Sequence, residues 1–259
     1  MKECSMPVGN PILFEGNIWK IDPKAFGLFE VEVQAPENIQ FPLLQTRIKT
    51  RNGNKTITPK GKWIGIFFSE EIYNALKYDY SFKIIRGYLF EKAFIFSEYV
   101  DFLYDLKLNS KKGSPDYIIS KLLLNSLYGR LGMNPDMENH IIINSDKDLK
   151  IFSKYMVSNV LDFKNGKELI YFFDDSSILS GDKENFKILN ISIPISAAVT
   201  ASARIYMSQF KTMEDVVLFY SDTDSIDIDS KLDPKYVGPE LGKMKLEHVF
   251  DKAVFLAPK

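Results

Sequence analysis

The chain has 259 residues, 45% of them hydrophobic, which is ample for a buried core and permits one large domain or two small ones. Lys and Arg total 33 against 34 Asp and Glu, a net charge of -1, so bulk charge neither demands nor excludes nucleic acid, and only a local cationic cluster would speak for it. The single cysteine, Cys4, excludes an intrachain disulfide framework and a cysteine-rich metal site; His140 and His248 are too separated for a zinc motif; no run of about 18 apolar residues argues for a membrane span.

The first residues, Met1 to Gly9, lack the apolar core of a signal peptide and begin like the interior of a domain. Pro7 to Pro11 punctuates as a turn, and Ile12 to Phe14 continues as a short strand. Gly27 to Val33 reads as a strand with Phe29, Val31 and Val33 on one side. Residues 43–60 are polar and basic, with Arg47, Lys49, Arg51, Lys55 and Lys60, and Asn52-Gly53 inside them is a hairpin signal. That ribbon is either a solvated hairpin or one that meets phosphates. Trp63 to Phe68 is a further strand, and Ser69 with Glu70 and Glu71 reads as a helix start with acids in its first turn, running to Lys77. Ser81 to Phe90 is strand-like, Phe94 to Leu108 helical, and Ser114-Pro115 opens a helix ending near Gly129 or Gly132. Residues 133–190 hold short strands such as Ile141–Asn144 and Leu169–Phe173, with a hairpin signal at Asn165-Gly166. An alanine-rich helix over 195–212 follows, then strands at Val216–Tyr220 and Ile226–Ile228.

Two polar islands stand out in this order. Lys121 and Asn125 are four apart, and Tyr128 is seven beyond Lys121, so a helix sets all three near one stripe, with Leu122, Leu123, Leu124 and Leu127 left to fill the other faces. A lysine, an amide and a phenol aligned on a buried helix are costly without polar partners and suit a ligand with a phosphate at one end and a flat ring at the other. Gly129 permits close backbone approach beyond the ring. An ordinary amphipathic helix with a glycine cap fits the same residues. In the second island, Asp222 and Asp224 point to one side if locally extended, at the end of the apolar run Val216–Tyr220, which reads as a central strand. Thr223 and Ser225 can brace a sharp turn, while Asp227 and Asp229 belong to the return strand and face solvent. Oxygen ligands of this kind match magnesium or manganese, with a further carboxylate needed from elsewhere. An exposed acidic hairpin is the plainer alternative.

Together the islands resemble motifs of family B DNA polymerases, particularly the protein-primed branch of phages and linear organellar plasmids. Lys121, Asn125, Ser126, Tyr128 and Gly129 match the fingers motif K-x3-N-S-x-Y-G, and Tyr220, Asp222, Thr223, Asp224 and Ser225 match the palm motif Y-x-D-T-D-S. Residues 198–204 resemble the stretch after the fingers motif, and 241–247 and 252–259 resemble the late palm, with Lys259 as the first residue of K-x-Y. The resemblance implies an α+β fold: a partial right-hand palm and fingers with mostly β insertions of the protein-primed type. It implies partial palm at 1–28, a first insertion with adjoining palm at 29–95, fingers helices at 96–132, a second β-rich insertion at 133–190, and a fingers-to-palm segment with incomplete palm at 191–259.

By the same resemblance, Asp222 and Asp224 are catalytic carboxylates and ligands of Mg2+ or Mn2+. Lys121, Asn125 and Tyr128 would bind the nucleotide; Tyr220, Thr223, Arg204 and Lys259 would meet primer or template; Ser126, Gly129 and Ser225 would shape the motifs. The implied reaction is attack of a primer 3′-hydroxyl, or of a terminal-protein hydroxyl at initiation, on a deoxynucleoside triphosphate, with a DNA template-primer as partner. No D-x-x-S-L-Y-P segment occurs, and Lys259 stands where K-x-Y begins. The expectation is therefore little or no activity from this chain alone unless a second chain supplies the missing polymerase segments. The alternative is a non-catalytic DNA-binding or interaction relic of such a polymerase. The Lys-, Asn- and Ile-rich composition points to an AT-rich genome and so to a mitochondrion or its linear plasmid.

Overall fold

The computed structural model describes residues 2–51, 53–134, 138–144, 155–173 and 191–256. Its centre is an antiparallel sheet of four strands in the order β1-β6-β2-β5, namely β1 (Met6–Glu15), β2 (Gly27–Gln34), β5 (Lys62–Phe68) and β6 (Ser81–Ala93). Strict alternation makes β2 a central strand: Phe29, Val31 and Val33 are wholly buried, while Glu30, Glu32 and Gln34 look the other way. Gly27 lets β2 and β6 close up, because a Cβ there would sit 1.8 Å from the Tyr88 carbonyl oxygen. The punctuation at Pro7–Pro11 is a bulge within β1 rather than a turn before it. Val8 faces Glu91 and Ile12 faces Leu89, so Gly9 to Pro11 leave the ladder where Pro11 has no N–H to give and Gly9 takes φ 75.

Between β2 and β5 the chain makes an excursion that carries the ribbon β3 (Thr46–Thr50) and β4 (Gly53–Ile57). The predicted hairpin forms there, with Thr50 paired to Gly53; Asn52 lies outside the described residues. Helix α1 (Ser69–Leu76) follows β5 directly. Its N-cap is Phe68, which makes no side-chain cap bond. Ser69 is already helical, and its hydroxyl accepts the buried Gly27 N–H at 3.1 Å, tying helix to sheet. A third sheet, β7 (Asn139–Asn144), β9 (Lys167–Phe173) and β8 (Met156–Asp162) in the order β7-β9-β8, stands apart, and the Asn165-Gly166 signal is realised as the β8–β9 hairpin. The loops expected near 136–182 fall largely outside the described residues.

Two apolar clusters hold the molecule together. One lies between the sheet and α1 and includes Phe29, Val31, Leu44, Phe67, Ile72, Tyr80 and Ile84. The other gathers Met6, Phe26, Phe68, Phe96 and Val100 with Ala198, Val199 and Ala201. It joins the sheet to α2 (Ser97–Asn109), α3 (Pro115–Leu131) and α4 (Ile193–Lys211). Full burial of a side chain such as Phe29 is worth about 2–3 kcal/mol. The α+β reading holds: antiparallel sheets and helices alternate without any parallel crossover sheet among the described residues. Among the described residues no helix is long and apolar enough to cross a membrane.

Candidate functional site

Helix α3 starts as its sequence dictates. Ser114 is the N-cap and accepts the Tyr117 N–H, Pro115 occupies the first turn, and Gly132 closes the end. Lys121, Asn125 and Tyr128 are all exposed, as are Ser126 and Gly129. The helix is therefore not buried, contrary to expectation. Among the described residues one face packs: Leu124, Leu127 and Leu131 join the second cluster, whereas Leu122 and Leu123 are 62% and 40% exposed and belong to neither cluster. The three polar residues can thus meet a ligand without the desolvation cost expected from sequence.

The foot of α3 is locked to the start of α4. The Ser196 hydroxyl donates to the Tyr128 carbonyl at 2.9 Å, and the Ser192 N–H donates to the Leu131 carbonyl at 2.8 Å. The Leu131 carbonyl, left without an intrahelical partner at the helix end, is thus satisfied by the N-cap of the next helix, and the Tyr128 carbonyl, which also takes the Gly132 N–H at 3.2 Å, gains a second donor. Gly132 makes room for this, since a Cβ there would meet Ser196 Oγ at 2.5 Å. Further along α4, Ala198 and Ala201 are wholly buried, small enough to bring the helix backbone close to its neighbours. Arg204 is committed to Glu71: its Nε and one terminal nitrogen reach the two carboxylate oxygens at 2.5 and 2.9 Å. Burial pulls the guanidinium toward a lower pKa, but the hydrogen bond and charge of Glu71 more than offset that and hold it above its ordinary value. Lys211, at the end of the same helix, is held below the usual lysine value by burial and by the charge of Arg204.

From α4 the chain passes into the hairpin of β10 (Leu218–Asp222) and β11 (Ser225–Ile228). Asp222 pairs with Ser225 across a two-residue turn made by Thr223 and Asp224. The two carboxylates are thus not on one extended strand: Asp222 ends β10 and Asp224 stands in the exposed turn. Thr223 has φ 52, a conformation that a β-branched residue rarely adopts. Its hydroxyl donates to Asp222 Oδ1 at 3.1 Å, and the Ser225 hydroxyl donates to the Asp222 carbonyl at 3.0 Å. Asp227 and Asp229 are exposed as expected, and Asp229 also pins the base of the hairpin by accepting the Val217 N–H at 3.0 Å. The apolar sequence of β10 suggested a central strand; among the described residues β10 pairs with β11 alone, and Phe219 is 58% exposed. Tyr220 is half-buried and meets the Phe255 ring at 6.0 Å between centroids.

The late segment is strapped back onto the helices, with the Tyr206 hydroxyl donating to the Gly242 carbonyl at 2.5 Å and the Tyr104 hydroxyl to the Pro239 carbonyl at 2.8 Å. Lys259 lies outside the described residues. Among those residues no group of three His, Cys, Asp or Glu comes together in a metal-binding cluster. The turn offers two hard oxygen donors, a set that fits Mg2+ or Mn2+ and not a soft metal. Glu71, Ser192 and Ser196 escaped sequence reasoning. Glu71 read only as a first-turn acid, and a partner 133 residues away leaves no local signal.

Comparison with known proteins gives a consistent picture. The family described as DNA polymerase type B, organellar and viral, matches residues 1–215. A probable DNA polymerase of Neurospora intermedia is 42% identical over 267 aligned positions, covering 100% of this chain and 27% of that protein. One from Ascobolus immersus is 38% identical over 260 positions, covering 100% and 21%. The chain thus spans about a quarter of the length of these curated relatives. The structure of Phi29 DNA polymerase complexed with primer-template DNA and incoming nucleotide substrates superposes with a TM-score of 0.66 at 21% identity, over 94% of this chain and 39% of that one. The same polymerase with single-stranded DNA gives 0.61 at 21% identity, over 94% and 38%. At that identity the likeness establishes the fold.

Proposed function

The chain belongs to the type B DNA polymerases of organelles and viruses, and from that premise we propose that it forms the nucleotide-facing and part of the metal-binding portion of a template-directed DNA polymerase. The observation that carries this reading is that one chain presents both an exposed Lys121–Asn125–Tyr128 stripe and an acidic turn whose tip, Asp224, is exposed, with α3 bonded to the start of α4 and the turn following α4 in the chain. Lys121 supplies a cation for the triphosphate, and its position on an exposed helix face leaves the ammonium in reach of solvent-borne phosphates. Asn125 and Tyr128, about one and two helical turns further on, offer an amide and a ring to the sugar and base. Asp222 and Asp224 would hold a divalent cation. When bound, that ion neutralises phosphoryl charge and lowers the pKa of the attacking hydroxyl.

The reaction is a displacement at the α-phosphorus. The primer 3′-oxygen forms the new ester bond, the bond to the bridging oxygen breaks, the hydroxyl proton is lost and pyrophosphate leaves. A terminal-protein hydroxyl would take the place of the primer at initiation. The exposed ribbon of Arg47, Lys49, Arg51 and Lys55 would meet nucleic-acid phosphates or a terminal protein, and the β7-β9-β8 sheet would correspond to a second insertion. The family's organellar and viral range, with the composition, supports a mitochondrial or plasmid setting.

The test is calorimetric titration of the chain with a deoxynucleoside triphosphate, with and without Mg2+. Binding is expected only with the metal. Lys121→Ala should weaken it about 10–100-fold, the loss of one charge-assisted phosphate contact. Asp224→Ala should remove the magnesium dependence. If the chain instead binds DNA with no influence of metal or of Lys121, the non-catalytic DNA-binding alternative replaces this reading.

A further inference from the structure

Helices α1 and α4 meet along a seam that is polar at three successive levels. Glu71 faces Arg204, with the two bonds of 2.5 and 2.9 Å given above. Three residues on, the Asn74 amide donates to the Ser208 hydroxyl at 3.0 Å, and that hydroxyl donates in turn to the Ile205 carbonyl at 2.7 Å. Four residues further, just past the end of α1, Thr212 Oγ1 lies 3.5 Å from the Tyr78 hydroxyl. The levels follow helical spacing on both sides, at 71, 74 and 78 on one and 204, 208 and 212 on the other. Glu71 and Ser208 are each 3% exposed, while their partners Arg204 and Asn74, and both residues of the third level, are half-buried, so the seam has a buried side and a side nearer the surface.

An apolar seam would have served stability equally well. Replacing a buried ion pair by apolar residues of similar size is often neutral or stabilising. What directional bonds add is register, because a bidentate carboxylate–guanidinium fork tolerates neither sliding nor rotation. The helix so fixed is the one that matters for the candidate site. Its N-cap Ser192 and, four residues on, Ser196 hold the Leu131 and Tyr128 carbonyls of α3, and its last residue, Lys211, stands seven positions before the start of β10.

We propose that Glu71 is a positioning residue: through its fork to Arg204 it sets the rotation and axial placement of α4, and thereby the placement of the Lys121–Tyr128 stripe against the Asp222–Asp224 turn. The inference rests on the nucleotide-binding reading for its consequence, though not for its geometry.

The experiment uses the full chain and two readouts. The double variant Glu71→Leu/Arg204→Met removes the fork and keeps the bulk. It should unfold at an unchanged or higher denaturant midpoint. Amide exchange in residues 126–132 and 192–197, measured without ligand, should nevertheless accelerate about tenfold, and the Kd for magnesium dATP should rise by a similar factor. A folded double variant with unchanged exchange overturns the proposal. If the wild-type chain binds no nucleotide, the functional reading fails, and the exchange arm alone still decides the positioning role. If the double variant does not fold, Arg204→Lys, which keeps the charge and loses the fork, is taken through the same measurements: faster exchange supports the positioning role and unchanged exchange overturns it.

Discussion

At the scale of single residues, the acidic turn is the place where local rules are broken. Thr223 holds φ 52 although its branched Cβ disfavours that region, and strain of this kind costs on the order of 1–3 kcal/mol. The Thr223 hydroxyl recovers part of this through its bond to Asp222. Thr223→Gly removes strain and hydrogen bond together, so a net gain of about 1 kcal/mol in unfolding free energy is expected from urea titration. A loss in that titration would show that the turn is relaxed with threonine in place. The carboxylates of this turn were legible from sequence as an Asp-x-Asp pair. So was the turn between two short strands; what stayed hidden is that Asp222 ends β10 while Asp224 sits in the turn, because residue spacing carries no sign of φ.

At the scale of elements, α3 shows what periodicity can and cannot say. Its start at Ser114-Pro115 and its end at Gly132 are local chemistry and were readable. Four of the leucines around the polar stripe are Leu122, Leu123, Leu124 and Leu127, and a near-continuous apolar run has no phase that singles out its buried members. The neighbours α2 and α4 decide instead, selecting 124, 127 and 131. Two truncations test this assignment by chemical denaturation. Leu127→Ala should cost about 1–2 kcal/mol, reflecting partial burial, while Leu122→Ala should stay within about 0.5 kcal/mol of the parent. Equal effects would mean that the helix is seated in a different rotation.

At the scale of the whole molecule, the strand order β1-β6-β2-β5 was not legible at all, although β2, β5 and β6 were found and the latter part of β1 was read as a short strand. The order depends on pairings such as Val33 with Phe82, and one-dimensional patterns rank no such partners. The packing it creates has a measurable signature in alkali. Tyr80, 3% exposed, has its phenol pushed above the ordinary value of 10.0 by burial, an effect that hydrogen bonds from Leu43 and Leu44 only partly counter. Tyr73 is raised for the same leading reason. A phenol with a raised folded-state pKa holds its proton longer in the folded chain. Its contribution is complete below 10.0 and is lost as pH rises through the folded value. Lys211 works in the opposite sense, since its lowered folded value relieves a penalty as pH climbs toward 10.5. Comparing urea midpoints of the parent and Tyr80→Phe between pH 9 and 11 isolates the phenol, and the parent should lose stability more steeply above about pH 10. Parallel profiles would place the phenol in contact with water.

The excursion between β2 and β5 leaves the sheet and returns to it at nearly one point, for the Ala35 N–H donates to the Gly61 carbonyl at 2.9 Å just beyond the paired Gln34 and Lys62. Its base is anchored in the core through Leu43 and Leu44, but every position of β4 and the middle of β3 are exposed. The ribbon is therefore a socketed tool rather than a beam. Its length and charge can change while the frame beneath keeps its register, because the excursion is closed at its base and the strands it carries bury almost nothing.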